Sequence, residues 1–217
     1  MELYIVRHGQ SESNAGVEKE DPALTKTGLR QAELLGERFK DIRFDHIYAS
    51  SLLRAAQTAR GAAKYQSVPV EIVPALCEAG TPADFLPDED EIRRSCPGAV
   101  FLGKELPCGG NADARARFAL ETLVFPEAYE GPFEEDRIDG NGDRIRSADR
   151  KILIVSHGVF NAWLLSRLVG FPFDKNMIVS QDNTCVNLFN LFLFNDTRRI
   201  RFRRFNDVRH LPEGLIT

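Results

Sequence analysis

Cysteine is scarce in this 217-residue chain. Cys77, Cys96, Cys108 and Cys185 form no Cys-x-x-Cys pair, which excludes the disulfide-dense scaffold of small secreted domains. They read as reduced thiols of a cytoplasmic protein, with a Cys96–Cys108 bridge as the alternative. No apolar run approaches the roughly 20 residues of a membrane span. After Met1 no basic stretch leads into an apolar one, so no signal peptide is expected. An excess of basic charge is also missing. Lys plus Arg number 28 against 32 Asp plus Glu, a net charge of −4, which argues against a dedicated nucleic-acid binder. Internal repeats and low-complexity tracts are absent as well.

What is present suits one compact domain over 1–217. Hydrophobic residues make up 43% and charged residues 28% of the chain, enough for a sizeable core. The charge is unevenly spread, with 16 acids and 9 bases between Ala79 and Arg150. That stretch also carries Pro82, Pro87, Pro97, Pro107, Pro126 and Pro132. It reads as an acidic insertion at about 79–150, with one helix from about Asn111 to Leu123. Its charge is either a solvated surface or a lid that selects charged ligands.

Around the insertion, strands and helices alternate. Strands are expected at Glu2–Val6, His46–Ser50, Val68–Val73 and Lys151–Ser156, the last buried on both faces as in a parallel sheet. Two further strands, Cys185–Phe194 and Ile200–Phe205, join through Asn195-Asp196. Helices are expected from Thr25 or Thr27 to Lys40, from a Ser50 or Ser51 cap to Ala63, and over Val159–Val169, which Gly170 and Pro172 stop. Gly36 falls on the apolar face of the first helix, where it would let a neighbour pack closely. The pattern predicts a three-layer α/β/α sandwich with a mostly parallel central sheet and the insertion over the active site.

Arg7-His8-Gly9 directly follows the first strand, and ligands of α/β sheets bind beyond strand carboxyl ends. Ser156-His157-Gly158 repeats that arrangement. Two His-Gly turns in equivalent places, in a chain with four histidines, stand out from chance. Between them, Arg54 falls in the first turn of a helix that starts at another strand end, a position that favours anions.

These motifs, with Leu24-Thr25-Lys26-Thr27-Gly28-Leu29-Arg30-Gln31-Ala32 and the Ser50–Ala59 stretch, resemble the histidine phosphatase superfamily, also called phosphoglycerate mutase-like. The likeness covers about 1–78 and 151–210. It implies that His8 is the nucleophile that becomes phosphohistidine. Arg7, Arg54 and His157 would surround the phosphoryl oxygens, with Ser11, Asn14 and the Gly158 amide as further phosphate contacts. Glu78 matches the family's general acid. The run after it departs from the family pattern, which leaves Asp84 and Asp88 in reserve. Ser51 stands where an aspartate is common.

The chemistry fits those roles. Phosphoryl transfer spreads charge over three oxygens, so fixed cations and donors are its main device. A neutral imidazole with one nitrogen held is a good nucleophile, and a leaving alkoxide needs a carboxylic acid. No metal and no cofactor is implied. Asp139–Asp143 lacks the glycine and the glutamate of a calcium loop and reads as a turn. Arg198, Arg199, Arg201, Arg203, Arg204 and Arg209 read as the outward face of a terminal strand. His46, His210 and Trp163 read as structural. The expected activity is a metal-independent phosphomonoesterase acting on a small phosphorylated metabolite, in the phosphatase branch of the family. Phosphoglycerate mutase-type transfer and an inactive phosphate-binding scaffold are the alternatives. Expected partners are the small substrate, with neither nucleic acid nor membrane; a homodimer is left open.

Overall fold

The computed structural model describes residues 1–103, 108–170, 172 and 179–217. Its strands are β1 (Glu2–Arg7), β2 (His46–Ala49), β3 (Val70–Ile72), β4 (Val100–Phe101), β5 (Glu135–Ile138), β6 (Arg144–Ser147), β7 (Lys151–Ser156), β8 (Val186–Phe194) and β9 (Thr197–Asp207). The helices are α1 (Lys26–Phe39), α2 (Leu53–Ala62), α3 (Glu89–Ser95), α4 (Ala112–Ala119), α5 (Phe125–Tyr129) and α6 (Gly158–Val169). One sheet runs in the order β4-β3-β2-β7-β1-β8-β6-β5, with β9 paired to β8. The five strands β4, β3, β2, β7 and β1 are parallel; the rest pair antiparallel.

Strand alternation sorts the core into two layers. Leu3 and Ile5 of β1, with Ile152 and Ile154 of β7, face α4, the turn that follows it and α6 through Ala116, Leu120, Phe160 and Leu164. Their alternates Tyr4, Val6, Leu153 and Val155 face α1, α2 and α3 through Leu35, Phe39, Ala59 and Ile92. A strand buried on both faces needs this continuous apolar run, and the three-layer α/β/α reading holds. Gly36 does what its position suggested: a Cβ there would lie 2.4 Å from Gly61 O of α2.

Several boundaries differ from expectation. The strand expected at Val68–Val73 is trimmed to Val70–Ile72. Neither Ser50 nor Ser51 caps α2; Leu52 holds that position, and the Leu53 amide donates at 3.0 Å to both oxygens of Asp21. The helix expected at Asn111–Leu123 is α-helical only to Ala119. Its chain then widens into a π turn over Leu120–Val124 and resumes as α5, with Pro126 in the first turn. Three further elements, α3, β4 and the β5–β6 hairpin, lie inside the stretch read as an insertion. The Asp139–Asp143 turn of that hairpin is held by Asp139 Oδ1, which accepts from the amides of Asn141 and Asp143 at 2.8 and 3.1 Å. Asn195 and Asp196 both take positive φ, 47° and 59°, the twist that a tight β8–β9 hairpin requires.

Candidate active site

Register explains why the two His-Gly turns meet. β1 and β7 are neighbours with Arg7 opposite Ser156, so His8 and His157 leave the sheet side by side. Their ring centroids lie 5.1 Å apart at 58°. β2 flanks β7 on the other side, with Ala49 opposite Val155, and delivers Ser50 and then Arg54 to the same end.

The loop after β1 is fixed by close backbone approach. A Cβ on Gly28 would lie 2.0 Å from Gln10 O, and one on Gly9 2.7 Å from Gly28 O; only glycines let α1 seat against this loop. Gly9 N donates to Thr58 Oγ1 at 3.0 Å, and Asn183 Nδ2 donates to His8 O at 2.8 Å. His8 Nδ1 lies 2.7 Å from Gly9 O. A carbonyl only accepts, so Nδ1 carries the proton and Nε2 keeps its lone pair. Arg54 Nε reaches that Nε2 at 3.3 Å. Burial, and then the Arg54 charge, push His8 well below its ordinary value, so the ring is neutral at pH 7.

His157 is wholly buried, and burial followed by the Arg54 charge lowers it in the same way. Its Nε2 lies 2.8 Å from Ser50 Oγ, which already accepts from Leu52 N at 3.1 Å. That hydroxyl also donates to Cys77 Sγ at 3.4 Å. His157 Nδ1 and Arg7 Nε are buried without a partner among the described residues. Arg7 Nη1 donates to Gln181 O. A Cβ on Gly158 would stand 3.5 Å from Arg7 Nε, so Arg7 lies across the start of α6. Arg54 Nη1 is 3.7 Å from Asp21 Oδ1. Burial pushes the Asp21 carboxyl up to about 6, against the opposing pull of the Leu53 amide and Arg54.

Glu78 follows the short turn Pro74–Leu76 after β3. Its Oε1 accepts from the amides of Ala79 at 2.7 Å and Phe160 at 2.9 Å, so the carboxyl sits on the first turn of α6. The reserve acid Asp88 is committed elsewhere: it caps α3 by accepting from Glu91 N at 2.9 Å. Ser11 Oγ donates to Asn14 Oδ1 at 3.0 Å, so these two pair with each other, and neither has a hydrogen bond to His8 or to the arginines.

The cysteines depart from expectation. Cys77 and Cys108 form a disulfide across 31 residues, and Cys96 and Cys185 are the free, buried thiols. The reduced-thiol reading and the Cys96–Cys108 alternative are both replaced. Cys96 belongs to the core layer of α1, α2 and α3, separate from the small cluster of Leu52, Cys77, Phe85 and Cys108. Ser51 Oγ lies 3.2 and 3.3 Å from the two bridged sulfurs, which occupies the space where a larger acid would stand.

Segment 79–150 divides in two. Its first part reaches the site: Cys108 is bonded to the residue before Glu78, and Arg115 of α4 donates to Glu78 O at 3.1 Å. Its hairpin does not cover the pocket. Glu134 and Glu135 share a recess with Met1, Glu2 and Lys151, at the amino ends of β1 and β7 and so opposite to His8. Sequence reasoning missed Asp21, Ser50 as the partner of His157, and the carbonyl contacts of Arg115. For Asp21 the only signal is an Asp-Pro pair ahead of Leu24-Thr25. His46 and His210 are structural as read: His46 Nδ1 pairs Glu71 at 2.9 Å and His210 Nδ1 meets Arg38 at 3.1 Å.

Among the described residues no helix is long and apolar enough to cross a membrane, and no cluster of three metal-binding side chains occurs. The chain is 29% identical over 184 residues to "Probable phosphoglycerate mutase GpmB" of Photorhabdus laumondii, covering 79% of this chain and 76% of that protein. The Yersinia pestis protein of the same name is 30% identical over 182 residues, again covering 79% and 76%. Among solved structures, the mycobacterial glucosyl-3-phosphoglycerate phosphatase complexed with VO3 superposes with a TM-score of 0.66 at 22% identity, covering 94% of this chain and 98% of that one. The Entamoeba histolytica phosphoserine phosphatase mutant with phosphoserine gives 0.61 at 20%, covering 97% and 99%. The sequence model of the histidine phosphatase superfamily (branch 1) matches residues 3–98 and 135–207; the chain belongs to that superfamily.

Proposed function

We propose that the protein is a phosphomonoesterase that passes the phosphoryl group through His8. The observation that carries this reading is the arrangement at the sheet's carboxyl end. His8 is neutral with Nε2 unprotonated, and two buried nitrogens, Arg7 Nε and His157 Nδ1, have no partner among the described residues. Nε2 attacks phosphorus, and the ester P–O bond breaks. The leaving oxygen takes a proton from Glu78, whose Oε2 has no hydrogen bond among the described residues while Oε1 is held by two amides. Water then attacks the phosphohistidine, the N–P bond breaks, and the Glu78 carboxylate receives the water's proton. Arg7, Arg54, His157, Ser11, Asn14 and the Gly158 amide take the phosphoryl oxygens. Two arginines supply the positive charge that a metal gives elsewhere, so no metal is required. The substrate is a small phosphate monoester.

Phosphoglycerate mutase transfer is the second reading, favoured by the names of the relatives at 29–30% identity. It would need further cations for a substrate carboxylate. Leu76-Cys77-Glu78-Ala79-Gly80 supplies none, and both Nη atoms of Arg115 donate to backbone carbonyls. Rapid quench with a 32P-labelled monoester tests the proposal. An acid-labile label should appear on the wild-type protein and be missing from His8→Ala, and turnover should persist in EDTA. With 3-phosphoglycerate, release of inorganic phosphate supports the phosphatase and appearance of the 2-isomer supports the mutase. An unlabelled, inactive protein that still binds phosphate would identify a scaffold.

A further inference from the structure

Arg115 stands out among the groups that the proposed chemistry does not use. It is buried at 5% exposure, comes from α4 in the stretch that the family's sequence model leaves unmatched, and makes no ion pair among the described residues. Burying a guanidinium without a counter-ion is costly, and an apolar side chain of similar volume would fill the space at lower cost. Core filling therefore explains its presence poorly.

Its contacts converge on Glu78. Nη1 donates to Ala75 O at 3.0 Å and Cys77 O at 2.7 Å, and Nη2 donates to Glu78 O at 3.1 Å. The guanidinium carbon stands 4.8 Å from the centroid of the Phe160 ring. The Phe160 amide is one of the two donors that fix Glu78 Oε1, at 2.9 Å. Arg115 thus grips both the peptide that carries the carboxyl and the residue that anchors it. Ser156 Oγ holds the same turn at Leu76 O, 2.7 Å away, and the Cys77–Cys108 bridge ties it to the chain that leads into α4. Burial lowers Arg115 to about 10, so it remains a cation at neutral pH.

We propose that Arg115 is a positioning residue for the proton donor: α4 uses it to set where Glu78 Oε2 stands relative to the leaving oxygen. The inference rests on the reading of Glu78 as the general acid. A misplaced acid is felt only where the leaving oxygen needs a proton, as with alkyl phosphates, and much less with aryl phosphates that leave as stable phenoxides.

The test compares kcat and KM on an alkyl and a nitrophenyl phosphate for Arg115→Met, Arg115→Lys, Glu78→Gln and the double variants. Arg115→Met should lower kcat on the alkyl ester about 30-fold, with KM within about threefold and a loss of less than about fivefold on the aryl ester. Arg115→Lys, which keeps the charge and three donors, should recover most of the loss and carries the test if the Met variant fails to fold. In the Glu78→Gln background the Arg115 substitutions should add less than about twofold on the alkyl ester, because residues acting through one group are non-additive. Equal losses on both esters, or effects that multiply in that background, would overturn the proposal. If Glu78→Gln itself shows no alkyl–aryl contrast, the acid assignment falls first and the inference falls with it.

Discussion

The two ends of the parallel sheet hold charge in opposite ways. At the carboxyl end, Arg7, Arg54, His8, His157 and Arg115 are partly or wholly buried; their nitrogens meet carbonyls, each other, the Ser50 hydroxyl or nothing, and Arg54 with Asp21 at 3.7 Å is their one ion pair among the described residues. At the amino end the charges are more numerous and shared locally: Arg137 with Glu135 at 2.6 Å, Arg144 with Asp136 at 2.6 Å, Arg150 with Asp45 at 3.0 Å and Lys151 with Asp149 at 3.2 Å. Most of those groups are solvated, and exposed pairs contribute little to stability. Desolvation, more than charge count, separates the end that carries the candidate active site from the end whose charges stay exposed.

The largest effect that sharpens this contrast is loss of Arg54. Its Nε meets His8 Nε2 at 3.3 Å and its charge is felt by both buried histidines. Arg54→Ala should lower kcat/KM on a phosphate monoester by about 10³, the scale for removing a fixed charge from a water-poor site. Arg144→Ala at the opposite end should change it by less than about twofold. Steady-state kinetics of both variants decide the matter, and similar losses would erase the distinction between the two ends.

How much of this was legible in the sequence follows the same division. Arg7, His8, Arg54 and His157 could be read because each sits directly beyond a strand or in the helix turn that follows one, and strands and short motifs leave local signals. The three-layer architecture was legible from Lys151–Ser156, whose unbroken apolar run fits only a strand covered on both sides. The supporting groups were not. Asp21 acts on a helix 32 residues away, Cys77 and Cys108 are 31 apart, and Arg115 bonds to carbonyls, which every residue has. The acidic stretch announced its charge but not its place: its hairpin is carried to the amino end by pairing between β6 and the far end of β8, Ile145 with Phe194.

An intermediate effect concerns pH. His8 and His157 lie well below 6.5 in the folded protein, and burial brings His210 down to about 4. Between those values and 6.5 the unfolded chain binds protons that the folded chain refuses, so stability falls as pH drops below about 6.5. Each histidine contributes up to about 1.4 kcal/mol per pH unit. Asp21 opposes them: raised to about 6, it binds its proton in the folded state first and adds stability as pH falls below that value. Glu135 and Asp136 at the amino end are lowered by hydrogen bonds from Arg137 and Arg144, so they stay charged throughout this range. Urea unfolding at pH 7.5 and 5.5 should therefore show a loss of about 3 kcal/mol. A flat profile would mean that the histidines at the carboxyl end are hydrated.

The smallest expected effect belongs to the hairpin, and it breaks the comparison most directly if it is large. Glu134 and Glu135 lie beside Glu2 and Lys151, and Asp136 follows them in β5, whereas His8 follows the other end of the six-residue β1. Six strand residues span roughly 20 Å. That exceeds the screening length of about 10 Å at 0.1 M salt and falls inside the length of about 30 Å at 0.01 M. Neutralising all three acids should thus leave kcat/KM unchanged at 0.1 M salt. At 0.01 M it should rise by no more than about twofold for a singly phosphorylated substrate, and slightly more for a multiply phosphorylated one, whose larger negative charge the acids repel more. The measurement is the ratio of kcat/KM for the two substrates, wild type against triple variant, at both salt concentrations. A change of fivefold or more that survives 0.1 M salt would bring the hairpin to the pocket mouth and make its charge a gate; a small change that salt abolishes leaves substrate choice to the loops that surround Glu78.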